Sequence, residues 1–119
     1  MTEAQTALSR RLVTSAGWRW MPGMRAYFQH ERRGVRVTDP ACWVSTTALP
    51  DVTDAATLGC LLALVREAWG DECAHMMPQS MSGGGGWDFW ACPPGDGNCP
   101  RGVGQTEAEA LVAALEGAP

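Results

Sequence analysis

The chain has 119 residues, 45% of them apolar and 18% charged, with a net charge of −4. That is room for one domain and one core, residues 1–119, and a composition too apolar for a disordered chain. No apolar run approaches the roughly 20 residues a membrane span needs. The opening MTEAQTALSRRLVTSAGW lacks a basic start followed by an apolar stretch, so no secretory signal is read. The expected compartment is the cytoplasm, of a host cell if a virus carries the gene.

Thr2 and Gln5 fit a capping box, hydroxyl and amide each satisfying a backbone N–H. Ala4, Leu8 and Leu12 recur behind it, which predicts a helix over about residues 3–15 with Gly17 as its stop. The period then changes. Trp18 and Trp20 alternate around Arg19, Pro22-Gly23 is turn chemistry, and residues 24–29 look like a strand. Val35-Arg36-Val37 alternates as a second short strand, and Cys42-Trp43-Val44 reads as a third or as a continuation past Asp39-Pro40.

Asp54 is the expected N-cap of a central helix, with Asp51 and Thr53 as rivals. Leu58, Leu61, Leu62, Val65 and Trp69 follow helical spacing, Cys60 and Leu64 make the other side apolar, and Gly70 ends the helix. Burial of its four aliphatic side chains at ~1.5–3 kcal/mol each makes this helix the centre of the core. Cys73 to Met77 suits a strand, and the glycines Gly83 to Gly86 suit a loop joining it to a second strand at 87–92. Along that second strand Trp87, Phe89 and Ala91 face one way, Asp88, Trp90 and Cys92 the other. PPGDGNCPRG reads as a loop. Thr106 and Glu109 make a second capping box before Ala108, Leu111, Val112 and Leu115, and Gly117 closes that helix. The expected class is α+β, helices packed on an antiparallel sheet in the order α-ββ(β)-α-ββ-α.

Reactive groups are few. There is no lysine among the nine basic residues, so Schiff-base chemistry is excluded. His30 lies in a charged turn and His75 in a predicted strand. No nucleophile elbow, zinc-protease helix, P-loop or dinucleotide fingerprint occurs. Asp51, Asp54, Glu107 and Glu109 already have structural work at helix N-termini. The expectation is a protein that is not an enzyme and carries no cofactor.

Five cysteines, an odd number, suggest free thiols in a reducing compartment. Cys73, His75, Cys92 and Cys99 are the best candidate metal set, two ligands on one strand and two flanking a loop. The six residues between Cys92 and Cys99 are wider than zinc pairs usually show. A Cys92–Cys99 disulfide is the other reading of that pair.

Two binding readings remain. Residues 1–36 hold seven arginines against two acids, and residues 37–119 hold two against eleven, so +5 opposes −9. Arg19, Arg25, Arg32, Arg33 and Arg36, interleaved with Trp18, Trp20, Tyr27 and Phe28, are a mixture that grips phosphates and stacks on bases. A pI near 5.0 opposes that reading. Arginine usage itself has a plain source in GC-rich codons. The second reading is a protein partner. Six tryptophans are many for this length, and Met76, Met77, Met81, Trp87 and Trp90 form the preferred contact patch because Met and Trp are enriched at interfaces.

Three stretches, G-W-R-W-M-P-G-M at 17–24, D-A-A-T-L-G-C-L-L at 54–62 and T-E-A-E-A-L-V-A-A-L at 106–115, resemble a set of small uncharacterised proteins of tailed bacteriophages and prophages in GC-rich bacteria. The resemblance rests on caps, stripes and a turn, and it carries over no catalytic residue. It implies a phage accessory protein that binds a host or phage protein, by analogy an inhibitor of a restriction or CRISPR defence complex. An acidic surface would suit a basic partner.

Overall fold

The computed structural model describes residues 1–39, 47–79, 85–91 and 100–119. Helix α1 (Glu3–Val13) starts on the expected capping box: Thr2 Oγ1 accepts from the Gln5 N–H and Gln5 Oε1 accepts from the Thr2 N–H. It ends before Gly17. Thr14 is the C-cap, its N–H bonding Arg11 and Leu12 carbonyls, and the Thr14 and Ser15 hydroxyls also donate to the Arg11 carbonyl. Short hydroxyl side chains satisfy the last turn locally, so the helix needs no glycine to stop.

Strands β1 (Arg25–Phe28), β2 (Arg33–Arg36) and β3 (Ala48–Pro50) form an antiparallel sheet in the order β2-β1-β3. The second strand begins two residues earlier than its alternation suggests. β3 was not expected at all; the predicted strand at 42–44 lies outside the described residues. β3 is a strand through its pairing, Tyr27 opposite Leu49 and Phe28 opposite Ala48. Its far side meets α1, where the buried Ser9 hydroxyl donates to the Pro50 carbonyl at 2.7 Å.

Helix α2 (Ala55–Trp69) has Asp54 as N-cap and Gly70 as a left-handed C-cap with φ 64°. Its apolar arc divides between two cores. Leu61 and Val65, flanked by Leu58, Leu62 and Trp69, belong to a larger cluster with Leu8, Leu12, Phe89, Leu111 and Val112. Leu64, flanked by Cys60, belongs to a smaller one with Met24, Ala26, Val37 and Ala48. The expected apolar second side thus has its own partner, the first sheet. Trp18 packs against both clusters and lies edge-on to Trp20, ring centroids 5.3 Å apart.

Strands β4 (His75–Pro78), β5 (Trp87–Trp90) and β6 (Gly102–Gly104) form a second antiparallel sheet, ordered β4-β5-β6, and α3 (Glu107–Glu116) closes the chain. The α+β class holds, with the strands among the described residues in two sheets of three. β6 is another unexpected strand. Glycine is a poor strand former, yet a Cβ at Gly102 would stand 2.2 Å from the Ala110 carbonyl oxygen and one at Gly104 2.4 Å from Glu109 Cβ. The missing side chains let α3 lie directly on the strand. Thr106 caps α3 by accepting from the Glu109 N–H, and Glu109 accepts from the Gln105 N–H in place of Thr106's own.

Candidate protein-binding surface

The ladder between β4 and β5 pairs His75 with Trp90, Met76 with Phe89, Met77 with Asp88 and Pro78 with Trp87. Because the pleat alternates, the sequence-derived patch is divided between two faces. Met76 is half-buried against the larger core beside Phe89, whose side chain is fully buried. Trp87 shares that parity and lines a groove at the start of the helices. Met77 and Trp90 lie on the opposite, outer face with His75 and Asp88. Met81 lies outside the described residues.

β5 continues the outer face onto β6, where Asp88 pairs with Val103. Cross-strand partners share a face, so Met77, Asp88 and Val103 form one row across the sheet. Met77 is 47% exposed and Val103 50%, and they are the only large hydrophobic side chains exposed among the described residues. Residues 26 positions apart are therefore brought to one row. Gln79 Nε2 donates to Asp88 Oδ1 at 2.9 Å, holding the carboxylate between them. Sequence reasoning missed Val103 because its strand reads as loop.

The β4 edge of this sheet is blunted at two positions. Gln79 N–H reaches the Gly86 carbonyl at 2.8 Å, which sets the hydrogen-bonded pairs at 75, 77 and 79 and turns the backbone groups of 74, 76 and 78 outward. Arg66 Nε donates to the outward Ala74 carbonyl at 2.6 Å, and Pro78 has no N–H to offer. Proline and a covering arginine are common ways to blunt an edge.

The arginines of the first half are largely matched within the chain. Arg11 pairs with Glu116, Arg19 with Glu67, Arg25 with Asp51, Arg33 with Glu31 and Arg36 with Asp54. Arg10 donates to Gln29; Arg32, in the turn before β2, has φ 50°. Of the neighbouring aromatics, Trp18, Trp20 and Phe28 pack against the cores. Arg36 grips both Asp54 oxygens and also donates to the Gly23 carbonyl. That pairing, with the Thr57 N–H and hydroxyl, lowers the Asp54 carboxyl to a pKa of about 2. Burial raises the nearby Cys60 thiol, with Asp54 adding to it and Arg36 opposing.

Of the candidate metal set, Cys73 and His75 are both exposed, and the His75 Nδ1 stands 3.3 Å from the Cys73 carbonyl oxygen. Cys92 and Cys99 lie outside the described residues. Among the described residues no three His, Cys, Asp or Glu side chains gather as a metal ion needs. His30 is exposed in its turn.

A groove of about 520 Å³ runs past Thr2, Gln5, Val52, Trp87, Thr106 and Glu107. The hydroxyls of Thr2 and Thr106 are engaged as helix caps. Among the described residues no helix is long and apolar enough to cross a membrane. Comparison with protein-family models, with curated proteins and with solved structures returned no match.

Proposed function

We propose that this protein acts by binding another protein, not by turning over a substrate, and that the outer face of β4-β5-β6 is its contact surface. The Met77–Asp88–Val103 row carries the reading. Two exposed hydrophobic side chains flank a polar centre, with Trp90 and His75 in the adjoining row. Interface cores draw on Met and aromatic side chains inside a polar surround. The arginines proposed for nucleic acid support that alternative less, since Arg19, Arg25, Arg33 and Arg36 face acids of their own chain.

The resemblance to phage and prophage proteins supplies the setting: an accessory protein in the cytoplasm of a bacterial host, bound to a host or phage protein. Inhibition of a defence complex is the role this setting suggests by analogy.

The test is affinity purification of the tagged chain from its native host, beside the double variant M77S/V103S. A protein that co-purifies with the parent chain and is lost from the variant supports the reading. Retention of the same protein by the variant, or co-purification of nucleic acid alone, contradicts it.

A further inference from the structure

We propose that the outer face of β4-β5-β6 takes a protein segment bearing an arginine or lysine between apolar side chains, with Asp88 receiving the positive charge. This rests on the contact surface proposed above and adds the chemistry of its occupant.

The case begins with how the chain treats its acids. Glu31, Asp51, Asp54, Glu67 and Glu116 each face an arginine in an ion pair. Among the described residues Asp88 faces none: its carboxylate accepts from the neutral Gln79 amide at 2.9 Å. The residue is half-buried. A partly desolvated carboxylate gains more from a cation than an exposed one does. Its flanks are two exposed large hydrophobic side chains, Met77 on β4 and Val103 on β6. An arginine fits such a place well, because its guanidinium forks onto a carboxylate while its stem covers apolar neighbours. Trp90, two residues along β5, lies on the same face, where an aromatic ring can add a cation–π contact to such a group.

The whole-chain charge agrees. With five arginines cancelled against five acids, the −4 of the chain is carried by the other four arginines and eight acids. A basic partner is thus favoured at long range as well as at the row.

The experiment selects peptides from a random display library on the immobilised full chain and measures their affinity for the parent, D88N and M77S/V103S. The selected peptides are expected to place Arg or Lys between apolar residues. They should lose about tenfold in affinity or more toward D88N and lose binding to M77S/V103S. Reversing the charges, with D88R against an Arg→Glu peptide, should restore binding. Equal thermal midpoints for the three proteins show that folding is not what changed. Peptides that need Met77 and Val103 but bind D88N as tightly as the parent overturn the assignment to Asp88 and leave the surface standing. A library that yields no peptide dependent on Met77 and Val103 overturns both.

Discussion

Arg36 on β2 and Asp54 at the head of α2 meet through two hydrogen bonds, Nη1 to Oδ2 and Nη2 to Oδ1, the latter at 2.9 Å. The same carboxylate accepts from the Thr57 N–H, and Thr57 Oγ1 accepts from the Arg25 N–H at 2.8 Å. One side chain therefore caps the central helix and fastens the first sheet to it.

Replacing it should separate the two roles. D54A removes the cap and the pair and is expected to destabilise the fold by about 1–2 kcal/mol, read by urea unfolding. D54N keeps an acceptor for the cap and should cost less. Because Arg36 holds the Asp54 carboxyl at about 2 in the folded chain, below the ~3.9 of a free aspartate, protonation favours unfolding. The stabilisation is complete above about pH 4 and is lost as pH falls toward 2. The acid limb of a stability–pH curve should be shallower in D54N than in the parent. Identical acid limbs would show that Asp54 is not protected by its partner.

The buried hydroxyl of Ser9 is the donor that α1 offers to the Pro50 carbonyl, across 41 positions. S9A leaves that carbonyl without it and should lower stability by about 1–3 kcal/mol. Loss of amide-exchange protection in β3 before the rest of the chain would locate the effect.

Gly102 and Gly104 set the distance between β6 and α3. A Cβ at Gly102 would stand 2.6 Å from the Ala114 backbone nitrogen, which cannot swing aside as a flexible side chain can. G102A is expected to destabilise by about 1–3 kcal/mol through overpacking. V103S, one position along and on the other face, should stay within about 0.5 kcal/mol of the parent. Chemical denaturation of the two variants side by side makes the comparison, and a well-tolerated G102A would mean that the helix moves away at little cost.

The helices were legible because their signals are local. Thr2 with Gln5, Asp54, Gly70 and Thr106 each act within one turn of the chain, so a window of a few residues contains the physics. β3 and β6 were not. Ala48-Leu49-Pro50 and Gly102-Val103-Gly104 have no period of their own; they become strands because Tyr27 and Asp88 pair with them. Division into two sheets is equally hidden, since alternation gives a strand's faces and not its neighbours. The proposed contact surface shared that fate. Met77 and Trp90 were visible as candidates, but adjacency in sequence joined them to Met76 and Trp87, which the pleat turns to the other face. Val103 enters only through register. The pairing of the arginine excess in the first 36 residues was hidden for the same reason, because counter-charges such as Glu67 and Glu116 lie far along the chain.

Removing the arming residues of the first sheet should reveal structure and not nucleic-acid affinity. R36A is expected to lower the thermal midpoint by releasing Asp54 and the Gly23 carbonyl. A labelled oligonucleotide should show no salt-sensitive retention by the parent chain at low ionic strength. Retention that falls in R25A/R36A would restore the nucleic-acid reading.

The most direct measurement places a photoreactive residue at position 77, and separately at position 33 on β2, and irradiates the native host cells. Covalent capture of a protein from position 77, and not from position 33, is the expected result. Capture only from position 33, or capture of nucleic acid from either, would contradict a protein contact on the outer face of β4-β5-β6.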